Sequence, residues 1–149
     1  MIAPTIYTWI LAITSGIVFL PLLVAQFVMI INPKGQQAKD LIIGKEEEWR
    51  DTSHFKYSLA FAWADWLVIF PLLVLGNAGV FMGEFWGYAL WLVLGAISIY
   101  FSIIFWVMER KASFASQGYI AYFTYFWGFF LYWGIGASVY SMIVLFGFW

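Results

Sequence analysis

The sequence contains no cysteine and carries little charge. Its 149 residues include seven Lys or Arg, eight Asp or Glu and a single histidine, His54. The missing cysteines exclude disulfide bonds, thiolate metal sites and cysteine nucleophiles, and one histidine cannot by itself build a metal or bis-histidine haem site. A net charge of −1 argues against a polyanionic partner, so we expect no nucleic-acid binding.

Familiar catalytic motifs are also missing. The chain has neither a glycine-rich phosphate loop nor a nucleophile elbow. The only lysine that touches a predicted span is Lys56, at an interface, which excludes a retinal Schiff base deep in a helix bundle. These absences leave whether the chain is an enzyme undecided, and they identify no cofactor.

Apolar residues dominate what is present. They make up 64% of the chain, charged residues make up 10%, and the mean hydropathy is +0.88. A soluble domain has roughly 25% charged residues and could not cover its surface with so few. The sequence therefore predicts an all-α integral membrane protein, a single membrane domain (1–149) that forms an antiparallel bundle of four transmembrane helices. The predicted spans are about 6–31, 56–76, 85–108 and 118–145.

The cations predict how this bundle is oriented. Five of the seven lie in or beside the polar loop 32–55, and the other two, Arg110 and Lys111, lie in the loop 109–117. The positive-inside rule then places both loops in the cytoplasm and both termini outside. The loop 32–55 is either a solvated connection or contains a short interfacial helix around Ala38 to Trp49.

Asp65 lies in the middle of the second span. A charge at this depth costs about 2.5–3.5 kcal/mol on insertion scales, so an intramembrane acid is a functional candidate by default. No Lys or Arg shares its depth, and we expect a protonated, inward-facing side chain with a neutral partner. The candidate partners are Gln26, Ser98, Ser102, Tyr125, Tyr132 and a tryptophan N–H. A purely structural contact between helices is the alternative.

Two more carboxylates, Glu84 and Glu109, lie at opposite ends of a polar stripe along the third span. They are candidate catalytic partners of Asp65, although solvated helix ends are a simpler interpretation. Small residues also predict close helix contacts, at Ala62 in the second span and at Gly128 in the fourth.

Aromatic residues make up 23% of the chain, with ten tryptophans. Tryptophan is common both at membrane interfaces and in lipid-facing packing. The deeper ones instead suggest a pocket for a flat apolar ligand such as a quinone, sterol, polyene or tetrapyrrole. The predicted ligand-binding residues are Asp65, Trp63, Trp66, Trp91, Ser98, Tyr125 and Tyr132.

Three functions fit these observations. The leading one is binding of a hydrophobic ligand in an aromatic-lined intramembrane pocket, or a role as accessory subunit of a membrane complex. The second is an isomerase-type enzyme that moves a proton on a lipid-like substrate, and the third is a small proton- or cation-coupled transporter. Expected partners are the lipid bilayer, a hydrophobic small molecule, and other copies of the chain or a larger membrane complex.

Overall fold

The protein is a helical bundle. The computed structural model describes residues 2–45, 47–112, 120, 123–124 and 128–147, and only the backbone of 108–112. The helices whose bounds lie within these residues are, in chain order, α1 (Ile6–Ile31), α2 (Gln36–Ile42), α3 (Thr52–Ala64), α4 (Phe70–Phe81), α5 (Phe85–Ala112) and α6 (Phe129–Phe146). Asp65–Ile69 is a π-helical turn that joins α3 and α4 into one continuous helix.

Four helical segments in this described part are long and apolar enough to cross a membrane. They are Ile6–Ile31, Thr52–Phe81, Phe85–Val107 and Phe129–Phe146. The described residues contain no β-strand. The predicted class, an all-α multi-pass membrane protein with a four-helix bundle, is confirmed.

The second span is longer than the sequence suggested. Helix α4 continues past Gly76 to Phe81, so the turn predicted from Asn77 onward is wrong for its first residues. Asn77 stays in the helix because its amide finds hydrogen-bond partners inside the bundle. The chain reverses only around Gly83, which has a φ of 71°.

The fourth helix begins later than expected, at Phe129. Gly128 has a φ of 74°, a left-handed conformation that favours glycine, and it interrupts the span predicted from 118. Most of 118–127 lies outside the described residues. An added Cβ at Gly128 would first meet Tyr132 of the same helix, 3.3 Å away, so the backbone conformation explains this glycine better than the predicted helix contact does.

Other glycines bring helices together. A Cβ at Gly79 in α4 would lie 2.5 Å from the Cα of Gly87 in α5. A Cβ at Gly95 in α5 would lie 2.8 Å from the carbonyl oxygen of Gly134 in α6. Such small residues let membrane helices approach closely, and α5 accordingly packs most extensively against α6 and α4.

The polar face of helix α1 is turned toward the interior of the bundle. Thr8, Ser15 and Gln26 are buried, with exposures of 0%, 0% and 4%. Between Ser15 and Gln26 the interior is apolar, and the ring of Phe19 packs against Phe130 and Trp133 at centroid distances of 4.6 and 5.0 Å. The inward face of α1 therefore has two polar levels separated by an aromatic layer.

The long polar loop is partly structured. Helix α2 is shorter than the predicted segment Ala38 to Trp49, because the chain leaves the helix before Gly44, where φ is 117°. Ala38 and Ile43 are buried on the α1 side of the loop. Lys39 forms an ion pair with Glu48 at 2.6 Å, which links the helix to the segment that follows.

Candidate ligand site at Asp65

Asp65 opens the π-helical turn of the second span. The backbone N–H of Phe70 donates to the carbonyl of Asp65, five residues back, instead of to the usual residue four back. Such wide turns are rare, and they occur often at functional sites. The only intramembrane carboxylate in this span therefore coincides with its one backbone irregularity among the described residues.

The Asp65 side chain faces the interior and has one polar partner. Gln26 of α1 donates from Nε2 to Oδ2 of Asp65 at 2.5 Å. Asp65 is 6% exposed and Gln26 is 4% exposed. The predictions that Asp65 points into the bundle and pairs with a polar side chain of another span are confirmed, and the partner is one that the sequence had offered.

The Gln26 amide uses its nitrogen for this bond, and its oxygen is unpaired. Its Oε1 atom is buried and accepts no hydrogen bond from the described residues. Buried polar atoms are nearly always paired, and an unpaired one costs about 1–3 kcal/mol. The sequence has no Lys or Arg between Lys56 and Arg110, and none in α1. Asp65 therefore has no basic residue at its depth, and Gln26 Oε1 has no hydrogen-bond donor among the described residues.

An aromatic stack lies beside this pair, one residue further along each helix. The ring of Trp66 lies between Phe27, at 4.8 Å, and Phe70, at 4.7 Å. The indole Nε1 of Trp66 donates to the carbonyl oxygen of Leu23 in α1 at 2.9 Å, which fixes the stack against α1. Phe27 is 44% exposed, so the stack reaches the lipid-facing surface.

Only some of the predicted ligand-binding residues gather here. Trp66 lies next to Asp65, whereas Trp63 and Tyr132 are 49% and 66% exposed on the outer surface. Ser98 donates to the carbonyl oxygen of Leu94 in its own helix. Tyr125 lies outside the described residues.

Trp91 belongs to another part of the bundle. It packs against Gly76, whose added Cβ would lie 2.9 Å from Cδ1 of Trp91. Gly76 follows Asp65 by eleven residues, which is about 16 Å along a helix. A single pocket lined by both Asp65 and Trp91 is therefore not formed by the described residues.

Of the candidate catalytic carboxylates, Glu84 does not approach Asp65. Glu84 follows the end of α4 at Phe81, and Phe81 lies about 24 Å along the helix from Asp65. The side chain of Glu109 lies outside the described residues. Within the described part, no group of three His, Asp or Glu side chains could hold a metal ion.

A second polar centre lies at the Asn77 level. Asn77 donates from Nδ2 to Ser15 Oγ at 3.2 Å, and it accepts from Trp91 Nε1 at 3.1 Å. Ser15 in turn donates to the carbonyl oxygen of Ala12 at 2.7 Å. These bonds tie α1, α4 and α5 together. Further along α1, Thr5 and Thr8 bond to the hydroxyl of Tyr140 at 2.6 and 2.8 Å.

Sequence reasoning missed two residues of these centres. Phe27 passed as one apolar residue among many, although it follows Gln26 directly. Asn77 was placed in a turn because it stands beside glycines. Its signal was the apolar run on both sides of it, Leu72 to Leu75 and Val80 to Phe81, which gives the helix no reason to stop.

An open groove of about 690 Å³ lies elsewhere on α1. Its lining is aliphatic and includes none of the predicted ligand-binding residues; the lining residues are Ile13, Gly16, Ile17, Leu20, Pro21, Val24, Ala25, Leu41 and Ile120. The exposed members of this set, such as Ile13 and Val24, lie on the face of α1 away from Gln26. The groove is thus separate from the Asp65 centre.

Comparison with protein-family models, with curated proteins and with solved structures found no match for this chain.

Proposed function

We propose that this protein binds a hydrophobic ligand inside the membrane, with the Asp65–Gln26 pair as polar anchor and the stack of Phe27, Trp66 and Phe70 as apolar wall. The proposal rests on the unpaired Gln26 Oε1. It is a buried acceptor beside an intramembrane acid, at a π-helical turn. Polar groups at this depth are expensive and tend to mark binding sites or relays.

Among the described side chains, the enzyme alternative has no second acid near Asp65. General acid–base chemistry requires catalytic groups within hydrogen-bonding reach of the same substrate. Glu84 lies beyond the far end of α4 from Asp65. Among the described side chains, no second carboxylate approaches Asp65.

The transporter alternative lacks a polar path in the described residues. From Gln26 to the next buried polar residue on α1, Ser15, is eleven residues, or about 16 Å. This interval is filled by the aromatic layer around Phe19, which is fully buried. Binding without passage is the function that this arrangement supports best.

The proposed orientation has both termini outside and the loop 32–55 in the cytoplasm. Asp65 then lies about 20 Å along the helix from Thr52, its cytoplasmic start. The chain has no cysteine, so a single introduced cysteine is a unique label. With Ile2→Cys and Lys45→Cys, an impermeant reagent added to spheroplasts should label position 2 only. Labelling of position 45 from outside would show that the protein has the opposite orientation.

Native mass spectrometry of gently extracted protein tests the binding proposal. The wild-type chain should carry an additional mass that Asp65→Leu lacks. Glu84→Gln is the matched control, because it removes a carboxylate that lies beyond the end of the second span and away from Asp65, and it should keep the additional mass. A bound mass that Asp65→Leu retains would contradict binding at Asp65, and so would a wild-type protein that carries no such mass.

A further inference from the structure

We infer that the polar end of the ligand is a single neutral hydroxyl group, which closes a ring of hydrogen bonds between Asp65 and Gln26. This inference rests on the proposed function and specifies the chemistry of the same site. The ligand would be an alcohol with an apolar body that lies against the stack of Phe27, Trp66 and Phe70.

The hydrogen-bonding capacity of the pair supports a hydroxyl. Gln26 uses one N–H on Asp65 Oδ2, and its Oε1 remains open. Without a cation at this depth, Asp65 avoids the cost of an unpaired buried charge by keeping its proton. A protonated carboxyl group has one O–H to donate. The site therefore offers one donor and one open acceptor, a few ångströms apart.

A hydroxyl group has the complementary set. Its oxygen accepts from the Asp65 O–H, and its own O–H donates to Gln26 Oε1. With the existing bond from Gln26 Nε2 to Asp65, all three groups form a closed ring with no net charge. This arrangement pairs Gln26 Oε1 and uses the O–H of Asp65.

Related polar groups fit less well. An ether can accept but cannot donate, so it leaves Gln26 Oε1 unpaired. A carboxylate that has lost its proton has no donor, and an ammonium group has no acceptor and would need an ionised Asp65. The hydrogen-bonding capacity of the pair thus favours a lipid alcohol over an alkyl ether, an ionised fatty acid or an alkylammonium ion of the same length.

The aromatic stack explains why a ligand, rather than water alone, is the occupant. Phe27 and Trp66 connect the buried pair to the lipid-facing surface, and Trp66 is held in place by its bond to Leu23. An apolar body attached to the hydroxyl gains contact with these rings, which a water molecule cannot provide.

Four diazirine probes on one long-chain skeleton test this inference: an alcohol, its methyl ether, the carboxylic acid and the amine. Each is irradiated with the full-length protein in lipid vesicles, and labelled peptides are mapped by mass spectrometry. We expect the alcohol to label the region of Phe27, Trp66 and Phe70 about tenfold more than the ether, which corresponds to one hydrogen bond.

Two variants test whether the preference for the alcohol depends on the Asp65–Gln26 pair. Gln26→Met keeps the length of the side chain and removes the acceptor, so the preference for the alcohol over the ether should disappear. Asp65→Asn keeps a donor toward the ligand oxygen, so most of that preference should remain. A preference that survives Gln26→Met would overturn the inference.

The outcomes distinguish this inference from the proposed function. If no probe labels the aromatic stack, both fail. If all four probes label it equally, the binding function stands, the hydroxyl inference is wrong and the pair holds only water. Stronger labelling by the amine or the acid would likewise keep the function and refute the hydroxyl.

Discussion

Two buried polar centres among the described residues, at Asn77 and at Asp65, differ in how completely they are paired. At the Asn77 centre, three side chains from three helices exchange hydrogen bonds, and both ends of the Asn77 amide are used. At the Asp65 centre, two side chains from two helices share one bond, and Gln26 Oε1 has no partner among the described residues.

The backbone around the two centres differs in the same sense. Near Asn77, α4 is regular and packs closely on α5 through Gly79 and Gly87. At Asp65 the helix widens into a π turn. Burial alone therefore does not distinguish the two centres. What distinguishes the Asp65 centre is an open acceptor beside an acid. Other buried hydroxyl groups, such as those of Thr124, Ser138 and Ser141, also have no partner among the described residues, so an open polar atom by itself does not mark a site.

The largest effect is expected at the close contact near the Asn77 centre. Gly87→Leu places a side chain against the backbone of Gly79 and Val80, which cannot move aside as a flexible side chain could. Overpacking of this kind costs typically 1–3 kcal/mol and more where backbone is in the way. The melting temperature in detergent should fall sharply or the fold should be lost.

Gly16→Ala is the control for that substitution. A Cβ at Gly16 would meet only Leu20 Cδ1, at 3.8 Å, so the melting temperature should stay near that of the wild type. A Gly87→Leu protein as stable as Gly16→Ala would show that α4 and α5 are not in close contact.

The next effect is expected at Asn77 itself. Asn77→Leu leaves Trp91 Nε1 without its acceptor and removes the bond to Ser15. Hydrogen bonds between membrane helices contribute about 0.6 kcal/mol on average, up to about 1.7. With two bonds lost, we expect unfolding in mixed micelles to show a loss of about 1–2 kcal/mol. If Asn77→Leu is as stable as the wild type, the structural role assigned to this centre is wrong.

A smaller change in stability is expected for Asp65→Leu. The substitution removes one hydrogen bond, worth about 0.6 kcal/mol, and also removes the cost of burying an acid in the membrane. The same unfolding measurement should therefore give a difference within about 1 kcal/mol of zero, in either direction. A loss larger than that of Asn77→Leu would make Asp65 the stronger structural contact and would reverse the comparison.

The smallest effect is expected outside both centres, at the start of α3. Asp51 caps this helix by accepting from the N–H of His54 at 2.8 Å. That bond and the Arg50 side chain lower the pKa of Asp51 below its ordinary value of 3.8. A lowered pKa means that the cap is present above pH 3.8 and is lost as the pH falls through the lower value.

Asp51→Ala should therefore fray the first turn at neutral pH and make the protection of nearby amide hydrogens, measured relative to their intrinsic exchange rates, insensitive to acid. Both polar centres should be unaffected. Protection that still falls with acid in Asp51→Ala would show that another group controls this helix end.

The sequence predicted the class of the fold and a buried Asp65 with a polar partner, for identifiable reasons. Hydropathy and length define spans, and the lack of any cation near Asp65 required a neutral partner such as Gln26. It could not predict that Asn77 stays helical, because the glycines beside it are typical of a turn, while its actual environment depends on Ser15 and Trp91 from other helices.

The composition of the site was equally beyond reach of the sequence. Trp63, Trp66 and Trp91 have the same side chain, so the sequence does not tell their environments apart. In the structure Trp63 is exposed, Trp66 lies beside Asp65 and Trp91 bonds to Asn77. The π turn is followed closely by Pro71, which lacks a backbone N–H, but a proline predicts a disturbed helix and not a π turn in particular.

The central claim is that, of the two polar centres, the Asp65 centre is the one that binds a ligand hydroxyl. The shift in melting temperature caused by a saturating long-chain alcohol tests it most directly, measured in the wild type, Asp65→Leu and Asn77→Leu, because a ligand stabilises only the state that binds it. The account predicts a positive shift in the wild type, the same shift from a lower starting point in Asn77→Leu, and none in Asp65→Leu. An undiminished shift in Asp65→Leu, or its loss in Asn77→Leu alone, would contradict it.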